Sequence, residues 1–252
     1  MRKASQAAQS GGTALILLLG MMTASSQVAG CDDNLLRLLA RSQKPTTLTT
    51  RIFDLAEAAA RLAGALGTIE TARPAGQAVW HAWTLLESAF TPFPAAASSS
   101  AFASLSGAVA TLRTTLEQEN LLAAHDLVKT VFYSSLACLP REDLPLFHRH
   151  LLEAALALQE IQALAVARQL ADLGPALGRL LPILEKIPDL CSPPGKPTAN
   201  HLILLGRRLL TASDSSTPSE DQLLMGISLM KDEFAVLLRT LANDLATPSS
   251  PQ

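Results

Sequence analysis

Aromatic residues are scarce in this chain of 252 residues. Phe, Trp and Tyr together make up 4% of the sequence, although hydrophobic residues make up 48%. The apolar content therefore comes mainly from Leu and Ala, which lose little on entering a helix. A β-sandwich needs β-branched and aromatic residues, so the composition argues against one. It predicts an all-α fold.

An excess of charge of one sign is also missing. Lys and Arg number 20 against 22 Asp and Glu, which leaves a net charge of −2. A nucleic-acid-binding protein usually carries a basic stripe, and adhesion to anionic lipid through a polybasic patch needs a cluster of Lys and Arg. Neither feature occurs in the sequence, which therefore predicts no nucleic-acid partner.

Motifs for catalysis and for cofactors are missing as well. The sequence contains no Gly-rich phosphate loop, no Gly-x-Ser-x-Gly, no His-Glu-x-x-His and no paired-cysteine zinc spacing. His148 and His150 lie two residues apart and point to different sides of a helix, so they make a poor metal pair. We expect no enzyme activity, no metal and no cofactor. A hydrolase would need His81, His125 or His201 beside a buried Ser and an acid.

The N-terminus carries the most specific signal in the chain. Arg2 and Lys3 precede an apolar stretch that begins at residues 14–19, and polar residues interrupt this stretch from Thr23 onward. The stretch falls short of the roughly 20 apolar residues that span a bilayer. A basic segment, a short apolar segment and then small residues are typical of a secretory signal.

The run Val28-Ala29-Gly30-Cys31 resembles a bacterial lipobox. In lipoproteins of that class the cysteine receives a diacylglyceryl group and becomes the first residue of the mature protein. The resemblance covers residues 1–31 and implies a signal peptide at 1–30, a membrane anchor at Cys31 and a place in the cell envelope facing the periplasm or the exterior. Asp32 resembles the enterobacterial signal for staying in the inner membrane. The alternatives are an ordinary cleaved signal with an unrelated cysteine and an uncleaved anchor.

The three cysteines are an odd number for an exported protein. If Cys31 carries lipid, Cys138 and Cys191 remain, and an oxidising compartment favours a disulfide between them. Such a bridge would close a loop of about 53 residues and contribute roughly 4 kcal/mol in the chain-entropy model. The alternative is two separate buried thiols.

The rest of the chain has helical patterns separated by clusters of Pro, Gly and Ser. We expect residues 31–47 to form the lipidated N-terminus and a tether, with a short helix at Asp33–Arg41, and we expect 48–246 to form a single helical domain and 247–252 a disordered tail. The patterns predict an irregular helical bundle of about seven or eight helices. A short α-solenoid of stacked helical hairpins stays open as the alternative. The predicted segments are Thr49–Leu66, Ala75–Phe90, Phe102–Leu136 with a break near Glu119, Asp143–Leu173, Ala176–Ile187, Thr198–Thr211 and a last helix from Pro218 or Ser219.

Two of these helices carry finer predictions. The helix over Asp143–Leu173 should end at Gly174-Pro175 and expose a charged stripe. The last helix should pack lengthwise on another, since its apolar residues nearly form a heptad seam. The charged stripe consists of Arg149, Glu153, Glu160, Arg168 and Asp172, and the apolar seam of Leu223, Ile227, Met230, Phe234, Leu237, Leu241 and Leu245.

The few aromatic residues concentrate in one region. Trp80 and Trp83 lie three residues apart on one face of a predicted helix, and Phe90 follows them. These aromatic residues are expected to pack as large side chains in the core near a bend. The alternative is that Trp80, Trp83 and Phe90 line an apolar groove for a partner helix or a hydrophobic ligand. The sequence thus favours a non-catalytic interaction or scaffold module with a protein partner, or else a carrier of a lipid or acyl chain.

Overall fold

The computed structural model describes residues 33–42, 46–92, 99–215 and 219–246. The predicted signal peptide, the lipobox with Cys31 and the predicted tail at 247–252 lie outside these residues. Within the described ranges the chain is helical and contains no β-strand. The prediction of an all-α fold is confirmed.

The helices are numbered here in chain order. Two single turns of 3-10 helix, at Arg141–Asp143 and Pro193–Gly195, connect some of them. The α-helices are α1 (33–42), α2 (Thr47–Ala65), α3 (Ile69–Phe90), α4 (Ser100–Glu117), α5 (Leu121–Ala137), α6 (Leu146–Val166), α7 (Leu170–Leu184), α8 (Ile187–Leu190), α9 (Lys196–Ser213) and α10 (Glu220–Ala246).

Most of the long helices pack in two rings of four. In the N-terminal group, α2 packs along α3 and α5, α4 packs along α5, and α3 touches α4 over a shorter stretch. In the C-terminal group, α7 packs along α6 and α9, α10 packs along α9, and α10 touches α6. In each group the fourth helix packs against the first, so the four helices form a closed ring. This closure distinguishes a bundle from an open solenoid.

Helix α1 is part of the core. Leu35 and Leu38 are 1% exposed and Leu39 is 0% exposed, and all three belong to a buried cluster that is continuous through both groups. We expected a short helix at Asp33–Arg41 within the lipidated N-terminus and tether of residues 31–47. Residues 33–42 form a helix, and it packs into the domain because leucines at these positions share one face of the helix.

Helix α3 begins earlier than predicted. Its N-cap is Thr68, whose hydroxyl accepts from the Thr71 backbone N–H at 3.4 Å. We expected a start at Ala75, because Pro74 is a helix breaker in an interior position. The structure places Pro74 inside the helix, shortly after its first turn.

The predicted helix over Asp143–Leu173 is two helices. α6 ends at Val166, and Arg168 adopts a left-handed conformation with φ 55°. The Arg168 and Gln169 N–H groups donate back to the carbonyls of Ala165 and Leu164 at 3.1 and 2.9 Å, which closes the helix end as a Schellman-type cap does. No glycine marks this turn, so the sequence did not reveal it. The predicted break at Gly174-Pro175 is also wrong, since α7 runs through both residues.

The predicted seam on the last helix is confirmed as far as the side chains are described. Six of its residues are at most 5% exposed, namely Leu223, Ile227, Met230, Phe234, Leu237 and Leu241. The side chain of Leu245 lies outside the described ones. The helix packs lengthwise on α9.

Candidate binding groove

A groove of about 380 Å³ lies on the surface between α3 and α4. Its size falls in the lower part of the range typical of ligand pockets. The floor is apolar and the mouth is charged. Ile69, Arg73, Gly76, Gln77 and Trp80 of α3 and Arg113, Leu116 and Glu117 of α4 line it.

Gly76 shapes the floor of the groove. A Cβ atom at this position would lie 3.1 Å from Leu116 Cδ1 and 3.7 Å from the ring of Trp80. The missing side chain therefore lets Leu116 pack directly against α3. Trp80 covers the glycine and stays partly exposed toward the groove.

Two ion pairs hold the arginines at the mouth. Arg73 Nη2 lies 3.0 Å from Glu119 Oε1, and Arg113 Nε lies 3.1 Å from Glu117 Oε1. All four side chains are mostly exposed, so each pair contributes little to stability, roughly 0–1 kcal/mol. Both arginines and Trp80 line the same groove.

The three residues of the proposed aromatic groove lie in two separate places. Trp80 lines the groove, whereas Trp83 and Phe90 pack elsewhere on α3 against Phe102 of α4. The ring centroids of Trp83 and Phe102 are 5.4 Å apart in a stacked arrangement, and those of Phe90 and Phe102 are 4.5 Å apart. Phe90 is 3% exposed. Phe90 therefore packs in the core, as expected, and the three residues do not form one groove.

Sequence reasoning missed the charged part of the site. The spacing of Arg113 and Glu117 suits an ion pair along a helix and could have drawn attention to this face of α4. Arg73 and Glu119 are 46 residues apart, and nothing local in the sequence links them.

A hydrolase would need a histidine beside a buried serine and an acid. His201 Nδ1 lies 2.8 Å from Glu233 Oε1 on the surface between α9 and α10. Among the described residues the buried serine is Ser135, and its hydroxyl donates to the Val131 carbonyl of its own helix at 2.7 Å. His125 lies on the same helix as Ser135, ten residues away, too far for the two side chains to meet.

The start of α6 is more buried than predicted. We expected Arg149 and Glu153 to lie on a solvent-exposed stripe, yet both are partly buried. Glu153 accepts from Arg141 Nη1 at 3.0 Å and lies 3.3 Å from Nδ1 of His150, which is 7% exposed. The turn at Arg141–Asp143 and the contact of α5 with α6 cover this region. Burial also lowers the pKa of His148.

The predicted bridge between Cys138 and Cys191 is not formed, since both are free thiols. Cys138 is the C-cap of α5, and burial raises the pKa of its thiol to about 12. Cys191 lies against Gly195, in a turn that packs on Leu237 and Leu241 of α10, and burial raises its pKa as well. Each thiol has its own apolar surroundings and packs as a small hydrophobic side chain.

Across the described ranges, no three His, Cys, Asp or Glu side chains come close enough together to hold a metal ion. In the same part of the chain, no helix combines the length and the apolar character that crossing a membrane requires.

No protein-family model, curated protein or solved structure matches this chain. The N-terminal motif and the residues of the groove are the features of the chain that bear on its function.

Proposed function

We propose that this chain is a membrane-anchored bacterial lipoprotein whose helical bundle is a non-catalytic interaction module in the cell envelope. The observation that carries the proposal is the run Val28-Ala29-Gly30-Cys31 behind a basic and then apolar N-terminus. It supplies a substrate for lipidation, and a diacylglyceryl group holds a protein at a membrane firmly because two acyl chains are buried.

The groove between α3 and α4 supports a protein partner. An accessible tryptophan flanked by arginines has the composition of an interaction hot spot. Arg73 and Arg113 at the mouth, with their glutamates, favour a partner that presents an apolar side chain surrounded by polar groups. A carrier for a long acyl chain would instead need an enclosed, mainly apolar cavity.

A small apolar ligand is the second candidate. Ile69, Leu116 and the ring of Trp80 form an apolar floor, and the volume suits a compact molecule. The variant Trp83→Phe leaves Trp80 as the single tryptophan, so its fluorescence reports on the groove. A saturable blue shift on titration with a fatty acid would support this candidate, and an unchanged spectrum would exclude fatty acids.

The anchor is tested by the mass of the mature N-terminus isolated from cells. We expect a peptide that begins at Cys31 and carries a diacylglyceryl group. The matched variant Cys31→Ser should lack the lipid and leave the membrane fraction. A mature protein that begins at Met1 with an unmodified cysteine would overturn the proposal.

The groove is tested by photo-crosslinking in intact cells. A photoreactive amino acid at Gln77, which is exposed and lines the groove, should give one discrete protein adduct that Trp80→Ala removes. The control position is Glu87, which is exposed on the same helix outside the groove. Identical adducts at both positions, or none at Gln77, would contradict the proposed site.

A further inference from the structure

Helix α1 begins immediately after the lipidation site. Two residue steps separate Cys31 from Asp33, the first residue of α1, and two steps span at most about 7 Å. Leu35, Leu38 and Leu39 hold α1 in the core, so the helix cannot move away from the bundle to extend this reach. A lipid on Cys31 would therefore hold the bundle against the membrane with no stalk between them.

The outward face of α1 is a single strip. Asp33, Arg37, Ala40 and Arg41 are exposed, and their spacing places them on one side of the helix, opposite the buried leucines. Two of the four side chains are basic and one is acidic. This is far less than a polybasic patch and would not bind a membrane by itself. On a protein already anchored by lipid, it decides which face turns toward the bilayer.

We infer that the exposed face of α1 lies flat on the phospholipid headgroups around the anchor, with the guanidinium group of Arg37 on lipid phosphate. This inference rests on the proposed lipidation of Cys31. The short connection to Asp33 brings the start of the helix to the headgroups. A guanidinium group binds phosphate oxygens in pairs of hydrogen bonds, and Arg37 lies one turn beyond Asp33, so this contact brings the helix past its first turn to the same level.

An upright orientation makes a different prediction. α1 is about 15 Å long, so Ala40 would stand roughly 10 Å farther from the headgroups than Asp33 if the helix stood on its first turn. In the flat orientation Ala40 lies at headgroup level. A probe at Ala40 therefore separates the two orientations and leaves both arginines in place.

The test uses the lipidated full-length product purified from cells, with a fluorophore on Ala40→Cys. Vesicles contain phosphatidylglycerol and a headgroup-linked quencher. Cys138 is partly buried, Cys191 is buried, and both thiols have raised pKa values, so the introduced cysteine reacts first. The matched control variant carries a Gly-Ser linker of about twelve residues between Asp32 and Asp33, which has a mean reach of about 20 Å. We expect the fluorophore to be quenched several-fold more strongly without the linker than with it. Within the linker variant, Arg37→Gln should weaken the remaining quenching further.

The outcomes separate the two proposals. Weak quenching at Ala40 in a protein whose mass shows the lipid on Cys31 would overturn the inference and leave the anchor intact. Equal quenching with and without the linker would also overturn it, because the short connection would then have no effect. An unmodified Cys31 would instead overturn the proposed function.

Discussion

Among the described residues, most ion pairs of the C-terminal group join different helices or turns, whereas most ion pairs of the N-terminal group lie within one helix. Exposed pairs of either kind are individually weak, but pairs between helices fix how the helices sit on one another. In the C-terminal group the pairs between neighbouring helices are Arg179–Glu160, Arg207–Glu185 and His201–Glu233. In the N-terminal group the pairs within a helix are Arg51–Asp54, Arg61–Glu57 and Arg113–Glu117, and Arg73–Glu119 connects α3 to the turn after α4.

Glycines allow neighbouring helices to approach closely, at two positions in the C-terminal group and at one in the N-terminal group. A Cβ at Gly206 of α9 would lie 3.3 Å from Leu181 Cδ1, and one at Gly226 of α10 would lie 2.5 Å from Leu209 Cδ2. These two glycines let α7, α9 and α10 approach closely. In the N-terminal group Gly76 brings α3 and α4 together at one level, and the groove opens beside it.

The two groups share one turn geometry. Glu119 after α4 and Arg168 after α6 both adopt positive φ, at 59° and 55°. Each charged turn residue forms an ion pair with a more distant residue, Glu119 with Arg73 and Arg168 with Glu220. The strain of a non-glycine residue there, roughly 1 kcal/mol, accompanies a contact that glycine could not make.

Truncation of a side chain in the core that both groups share should have the largest effect on stability. Leu237→Ala in the C-terminal group should cost about 2–5 kcal/mol of unfolding free energy, because Leu237 is fully buried. Both tryptophans lie on α3 in the N-terminal group. Since one buried cluster runs through both groups, tryptophan fluorescence and far-UV circular dichroism should show the same lowered denaturation midpoint. An unchanged fluorescence midpoint would mean that the two groups unfold independently.

Filling the floor of the groove should have the next largest effect. Gly76→Val should destabilise the protein by about 1–3 kcal/mol, because the new methyl groups would press on Leu116 and Trp80. The Trp80 emission should shift to longer wavelength. The control is Gly107→Ala on α4, where nothing lies within 4 Å of the added Cβ, and it should stabilise by roughly 0.5–1 kcal/mol. Thermal denaturation measures both, and a loss of stability in the control would contradict the explanation.

Mild acid should destabilise the protein through two histidines, on α5 and α6, where the two groups meet. Burial, then Lys129, lower the pKa of His125 on α5, and burial lowers the pKa of His148 on α6. The unfolded chain binds these protons near pH 6.5 and the folded chain only at lower pH. Stability should therefore be greatest above about pH 6.5 and fall as the pH decreases toward the folded pKa values. The double variant His125→Gln, His148→Gln should lose part of this dependence between pH 7.5 and 5.5.

Removal of one ion pair between helices should have the smallest effect. Arg207→Gln removes the contact with Glu185, whose atoms lie 2.7 Å apart, and should cost about 0.2–1 kcal/mol. The loss should shrink in 1 M salt, which screens exposed charges. Urea denaturation at low and high salt measures it. A loss that is the same in both would show that the arginine acts through packing of its aliphatic part.

Local patterns were sufficient for much of the fold. The spacing of Leu223, Ile227 and Met230 was enough to predict which face of the last helix is buried. The polar residues near Glu119 were enough to place the break between α4 and α5. Both features depend on residues within a few turns of one another, which the amino-acid order records directly. The turn at Arg168 was missed because its left-handed residue is not glycine. The short helix at Asp33–Arg41 was predicted, but its packing into the core was not, because so short a helix gains its stability from the core.

The sequence by itself determined the helical class, the buried face of the last helix and the lipobox-like run before Cys31. Tertiary structure alone decided that Phe90 is in the core while Trp80 faces a groove, that Arg73 meets Glu119, and that Cys138 and Cys191 stay apart. The reason is physical. Helix formation and amphipathic faces follow from neighbours three and four residues away, whereas a groove or a pair of thiols depends on how separate helices close on one another.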